Sequence, residues 1–243
     1  MVKINKESRV SDGEIIVDGV PIEEIIENFS FEQLIFHMLQ KRKPSENEKK
    51  LLRAYLVSLC EHGNTAPSAL AARVPASVNS PFEMGVISFL ATAAGDYHFG
   101  ALRKCMEHLK EISEKGLDVE QYVDEKLNRR EKIFGFGHRV HKKNIDPRSK
   151  ALFDFIDKIG FKGKYILLVK QLDEVLHKRK GIRVNIDGVG AGILLDLGFS
   201  ESIAPLFVFI SRMISVAKIF EEEQSSPDIS PYIGLVKRER KKG

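Results

Sequence analysis

Phe134-Gly135-Phe136-Gly137-His138-Arg139-Val140, followed by Asp146-Pro147-Arg148, decides how this chain is read. The stretch puts an imidazole on a glycine-flanked loop and a guanidinium in the first turn of the next helix. Asp146 is the expected N-cap of that helix and Pro147 its first residue. An imidazole that titrates near neutrality, beside a rigid two-pronged anion receptor, is what chemistry on a carboxylate-bearing substrate requires.

Outward from this loop the pattern is helical on both sides. Downstream, Leu152, Phe153, Ile156 and Ile159 keep helical spacing. Ile182-Arg183-Val184-Asn185-Ile186 reads as a short buried extended segment or the end of a helix, and Ser200 or Ser202 begins a last long helix running to about Glu223. Upstream, Leu102, Cys105, Met106 and Leu109 mark one helix after Gly100, and Pro81 opens another that ends near Ala94-Gly95. Ser45 with Glu48, and Ser30 with Gln33, form capping boxes for two more; the Ser45 helix is expected to stop at Glu61-His62-Gly63. Glu14-Ile15-Ile16-Val17 and Val20-Pro21-Ile22, joined by Asp18-Gly19, predict a small hairpin. The fold class is therefore all-α with a small N-terminal β-hairpin. No internal repeat or low-complexity linker divides residues 1–243, which are expected to form a single domain.

Bulk properties narrow the function. A chain of 243 residues can bury a large core as one domain or two closely packed lobes. Its most apolar run, Ile203 to Ile210, is too short to span a bilayer, and Met1 to Lys6 lacks the apolar core of a signal peptide. Two cysteines, Cys60 and Cys105, make neither a disulfide framework nor a metal cluster, so no metal is expected and a reducing cytoplasm is the natural compartment. The net charge of +4 is partly carried by Lys237-Arg238-Glu239-Arg240-Lys241-Lys242, read as a solvated terminus and not as a nucleic-acid or membrane contact.

Several further residues are suited to chemistry. His98 lies just ahead of a helix N-terminus, whose dipole disfavours imidazolium; a neutral ring there donates a hydrogen bond, although a lone histidine of this kind is more often structural. Asp187 ends an apolar segment, where partial desolvation raises its basicity toward what proton abstraction needs. An equally good reading makes it the N-cap of a helix from Gly190 to Leu197. The glycines at 188, 190 and 192 do not have the spacing of a dinucleotide fingerprint. Arg212 interrupts an apolar helix, and a buried guanidinium is costly unless an anion meets it. His62 closes a helix C-terminus, which is favourable without any ligand. His37, His108, His141 and His177 sit among charged neighbours and read as surface residues.

Taken together, His98, Gly137-His138-Arg139, Arg148, Asp187 and Arg212 occur in the order and spacing of the citrate synthase family, which the chain resembles from about residue 12 to about residue 234. Glu61-His62-Gly63-Asn64 through Ser77 is similar to the segment around that family's first substrate-binding histidine. The resemblance implies a two-lobed helical fold, with a large lobe of about 1–103 and 197–243 and a small lobe of about 104–196. It implies a homodimer whose substrates are a coenzyme A thioester and a small di- or tricarboxylate, with no cofactor beyond the coenzyme A of the substrate. His98 would polarise the thioester carbonyl, Asp187 would exchange a proton with the acetyl carbon, and His138 would hydrogen-bond the oxaloacetate carbonyl. Arg148 and Arg212, helped by His62, would hold carboxylates. Phe134, Gly135, Phe136, Gly137 and Arg139 would meet the coenzyme.

Within the family, the short path from Leu51–Leu59 to His62 and the spelling Asn185-Ile186-Asp187-Gly188-Val189 resemble the citryl-CoA lyases, including the lyase module of ATP-citrate lyase. His98 and Asp146-Pro147-Arg148 look more like the synthases. The expected activity is cleavage of citryl-CoA to acetyl-CoA and oxaloacetate, with a separate citryl-CoA synthetase as a candidate supplier. The rivals are a citrate synthase and a non-catalytic subunit. One departure stands out: the family's arginine near the C-terminus, which reaches the partner's site, has no counterpart in Gln224-Ser225-Ser226-Pro227-Asp228.

Overall fold

The structure, a computed structural model, describes residues 8–61, 63, 66–95, 98–138, 141 and 144–226. Among them, three short strands precede eleven helices, and no helix is long and apolar enough to cross a membrane. The chain divides into two compact units, Met1–Arg53 and Ala54–Gly243.

In the first unit, β1 (Arg9–Ser11), β2 (Glu14–Val17) and β3 (Val20–Pro21) form an antiparallel sheet in that order. The β2–β3 hairpin turns at Asp18 and Gly19, with φ of 49° and 84°, the positive values a two-residue hairpin loop demands. Strand β1 adds to the expected hairpin. All three of its residues are exposed, so no apolar alternation announces it. α1 (Ile22–Asn28) and α2 (Phe31–Gln40) follow, and α3 (Glu46–Ser58) begins in this unit and continues into the next. Both capping boxes form. Ser30 Oγ accepts from Gln33 N at 3.3 Å while Gln33 Oε1 accepts from Ser30 N at 2.8 Å; Ser45 and Glu48 repeat this at 3.3 and 2.7 Å. α3 stops at Ser58, short of the expected Glu61. Its last turn tightens into i→i−3 bonds, Leu59 N to Leu56 O and Cys60 N to Val57 O, while Ser58 Oγ donates to Tyr55 O.

The second unit holds α4 (Pro67–Ser77), α5 (Phe82–Ala93), α6 (Gly100–Lys115), α7 (Val119–Asn128), α8 (Pro147–Lys158), α9 (Lys164–Lys180), α10 (Ile186–Asp196) and α11 (Ala204–Ser225). α4 carries Pro75 within it, in its last turn, where the missing N–H forgoes the bond to Ala71 O. α11 begins at Ala204, later than Ser200 or Ser202. Those two hydroxyls bond each other at 2.8 Å instead of capping amides, and Pro205 occupies the first turn.

α11 packs on α4, α5 and α6, and α10 packs against α6, α8 and α9. α10 is apolar nearly all round, with Ile186, Gly188 to Gly190, Ala191 to Leu194 buried. Its glycines provide the close approach. A Cβ at Gly188 would strike Gly135 O and lie 2.6 Å from Val184 Cγ2, and one at Gly190 would lie 2.5 Å from Tyr55 Cε2. Asp196 at the far end accepts from the amides of Tyr165 and Ile166 at 3.0 and 2.8 Å, capping α9 from another helix. Arg179 ties α9 to α7 through Asp124 and Glu120.

Candidate active site

Asp187 sits in the first turn of α10. It is not the N-cap: Asn185 is, its Oδ1 accepting from Asp187 N at 2.9 Å and Gly188 N at 3.3 Å. The cap residue the sequence offered as an alternative role for Asp187 thus lies two positions earlier, and the Asp187 carboxyl is free of that duty. Asn185 has a second task, since its Nδ2 donates to Gly137 O at 2.7 Å.

That bond belongs to a strap. Residues 182–185 precede α10 outside any helix, with Phe136 and Val184 in an antiparallel bridge. Gly137 N donates to Arg183 O at 2.7 Å and Asn185 N to Gly135 O at 3.0 Å. The glycine loop and the approach to Asp187 are therefore one small ladder. Gly135 and Gly137 both have φ of 85°, in the left-handed region that favours glycine. Gly135 is irreplaceable on a second count: a Cβ there would lie 2.5 Å from Cys105 Sγ and 2.8 Å from Gly188 Cα. Asp173 of α9 pins the strap, accepting from Val184 N at 2.6 Å and pairing with Arg183 at 2.7 Å.

His138 leaves the ladder half-buried. Its Nδ1 accepts from His141 N at 3.1 Å, which puts the proton of the neutral ring on Nε2 and makes that nitrogen a donor. Burial lowers its pKa; the Asp146 carboxylate, 3.9 Å from Nε2, opposes the shift, and His141 and Arg148 add to it. His141, read in the sequence as a surface residue, instead stands with its ring centroid 4.7 Å from that of His138. His108 is likewise half-buried, bonded to Tyr122 Oη at 2.6 Å. His177 is exposed, as expected, and His37 bonds Val17 O at 3.0 Å within the first unit.

Asp146 caps α8 as expected and also grips the side chain it was meant to precede. Its Oδ1 accepts from Arg148 N and Nε at 2.9 and 3.1 Å, and its Oδ2 from Nη2 at 2.7 Å. Burial alone would raise the Asp146 pKa, but the Arg148 hydrogen bonds and charge outweigh it and hold it below the ordinary carboxylate value. This bidentate clamp fixes the Arg148 fork. Sequence reasoning saw only the cap, although Asp-Pro-Arg at a helix start brings the i and i+2 side chains together and was the available signal.

Arg212 of α11 is 4% exposed, and its Nε and Nη1 have no hydrogen-bond partner among the described residues. Burial lowers its pKa to about 10, Arg148 pushes the same way, and Asp187 opposes. Asp187 is the counterpart: burial drives its pKa up to about 6 against the pull of Arg148 and Arg212. Its surface is partly accessible, but the low-dielectric wall of α10 and its neighbours sets the shift. The structure thus brings His138, Asp146, Arg148, Asp187 and Arg212 into one electrostatic cluster.

His98 stands just before α6, its Nε2 2.8 Å from Ser68 Oγ and its ring 4.4 Å from that of Phe99. Phe99 in turn meets Phe209 of α11 at 5.7 Å. Phe134 is stacked on His108 at 6.1 Å, with Lys104 and Lys132 ammonium groups each 4.9 Å from its centroid. Gly135 and Phe136 are buried in the ladder itself. His62 and Arg139 lie outside the described residues, as do Pro227 and Asp228.

The model of the citrate synthase C-terminal domain matches residues 20–231, and the chain belongs to the citrate synthase family. It is 30% identical over 216 residues to citrate/2-methylcitrate synthase of Bacillus subtilis, covering 87% of this chain and 57% of that protein. It is 26% identical over 212 residues to citrate synthase of Heyndrickxia coagulans, covering 86% and 56%. The chain thus spans a little over half the length of the curated relatives it matches. Among solved structures, citryl-CoA lyase from Hydrogenobacter thermophilus superposes with a TM-score of 0.84 at 30% identity, over 93% of this chain and 88% of that one.

Proposed function

We propose that this chain is a citryl-CoA lyase, breaking citryl-CoA into acetyl-CoA and oxaloacetate. The observation that carries the proposal is the closer superposition on the lyase of Hydrogenobacter thermophilus, TM-score 0.84 over 93% of this chain, than on citrate synthase of Thermotoga maritima, 0.67 over 79% of this chain. The cluster suits the chemistry. Asp187, with a pKa near 6, exchanges protons readily at neutral pH. Arg148 and Arg212 face the acid's carboxylates, and the unpartnered Arg212 nitrogens supply donors that a carboxylate would satisfy.

In cleavage, the hydroxyl of the citryl group loses its proton as its oxygen becomes the oxaloacetate carbonyl. That proton passes to solvent, and the Nε2–H of neutral His138 donates a hydrogen bond to the oxygen it leaves. The carbon–carbon bond breaks, its electron pair passes to the acetyl enolate, and His98 stabilises the enolate oxygen. Asp187 then delivers a proton to the enolate carbon. Lys104 and Lys132, flanking Phe134, are suited to the phosphates of the coenzyme. A second copy of the chain is proposed to cover the exposed apolar side chains of α5 and α11, among them Ile87 and Ile214; sedimentation should find a dimer.

The alternative is a citrate synthase, favoured by the identity to the synthases. Initial rates with citryl-CoA, and separately with acetyl-CoA plus oxaloacetate, separate the two readings. The lyase reading expects cleavage to exceed condensation at matched saturation. Faster condensation would overturn it.

A further inference from the structure

One buried polar group near the cluster has no part in the chemistry above. Tyr55 of α3 is fully buried, and its hydroxyl has no hydrogen-bond partner among the described residues. A phenylalanine would fill the same slot without stranding a hydroxyl, and an unmade bond to a buried polar group is costly. The ring end lies against Gly190, since a Cβ on that residue would come within 2.5 Å of Cε2 and 2.6 Å of Cζ. Gly190 is three residues beyond Asp187, so the two share a face of α10. Gly190 therefore makes room for the phenol on the Asp187 side of the helix.

Resting on the site assigned above, we propose that Tyr55 is a positioning residue whose hydroxyl donates to the Asp187 carboxylate, directly after a small side-chain adjustment or across one water. The neighbouring chemistry selects the acceptor. The charged groups that act on Asp187 are Arg148 and Asp146 of α8, Arg212 of α11 and Lys132 of the loop. Arg148, Arg212 and Lys132 can only donate, and Asp146 is occupied by Arg148. From α6, Cys105 acts on Tyr55 only weakly and is a thiol that burial keeps protonated. From α9, Asp173 is closed onto Arg183. Asp187 is the strongest electrostatic neighbour of the phenol, and the acceptor the geometry leaves open. The proton on Tyr55 is secure, since burial and Asp187 both push its pKa upward.

The test compares wild type with Tyr55→Phe, using carboxyl-¹³C aspartate and Asp187→Asn to assign the Asp187 resonance. Loss of the donor should raise the Asp187 midpoint by about one pH unit, a tenfold change in proton affinity. The alkaline limb of the pH–rate profile for cleavage, where Asp187 loses the proton it delivers, should move up with it, and KM should stay within about twofold. A folded Tyr55→Phe protein with an unchanged Asp187 titration overturns the proposal. A shifted titration in an enzyme that cleaves no citryl thioester leaves this inference standing and overturns the lyase reading instead. Should Tyr55→Phe fail to fold, the ¹³Cζ resonance of Tyr55 in folded Asp187→Asn protein decides: a changed shift supports the bond, and an identical one overturns it.

Discussion

Asp187→Asn should stabilise this protein at pH 7 while stopping turnover. Burial lifts the Asp187 pKa from 3.8 to about 6 against the pull of Arg148 and Arg212. Two units at 1.4 kcal/mol each mean that the ionised carboxylate costs about 3 kcal/mol at neutral pH. Asparagine removes that cost but loses the favourable meeting of a negative charge with the α10 N-terminus, about 0.3–1 kcal/mol, so the net gain is about 2–3 kcal/mol. In a chain of this size each kcal/mol moves Tm by roughly 2–4 °C, so the midpoint should rise by about 5–10 °C. The sign of the pH dependence follows from the raised value. The folded state binds this proton more tightly than the unfolded chain, so the contribution is fully present below about pH 4 and is lost as pH rises through about 6. The advantage of Asp187→Asn should therefore vanish by pH 4. Melts of both proteins at pH 7 and pH 4 provide the check. A variant no more stable than wild type at pH 7, or equally favoured at both pH values, would refute the burial argument.

Gly135→Ala should destabilise by about 2–5 kcal/mol, adding the cost of a left-handed φ to that of overpacking against Cys105 and Gly188, as urea unfolding would register. Arg212→Leu should hold or raise Tm, because a buried guanidinium whose Nε and Nη1 have no hydrogen-bond partner among the described residues is exchanged for an apolar side chain, yet calorimetry should find di- and tricarboxylate binding lost.

The helices with clear stripes or caps were legible in the sequence, and so was the hairpin. The Ser30, Ser45 and Asp146 caps are local chemistry, complete within four residues. α4 was not legible: Pro75 lies within it, and its buried positions Ser68, Ala69, Ala72 and Ala76 are small residues that make a weak stripe. The end of α3 was missed by three residues because tightened i→i−3 turns leave no compositional mark. At the site, residue types pointed to His138, Arg148, Asp187 and Arg212, but not to their wiring. The Gly135–Asn185 ladder, the Asp146 clamp and the His141 amide on His138 all depend on segments that meet only in the fold. Asn185 shows the limit best: the cap lies two residues before Asp187, which the sequence read equally well as cap or as base, and this leaves the Asp187 carboxyl free.

The most direct test of the whole account is cleavage of citryl-CoA in D₂O, with the acetyl-CoA product read by mass spectrometry. Delivery of a solvent-derived deuteron by Asp187 predicts one deuterium in the acetyl methyl group of each product molecule, with no product from Asp187→Asn. Product formed without deuterium, or formed undiminished by the Asp187→Asn protein, would contradict it.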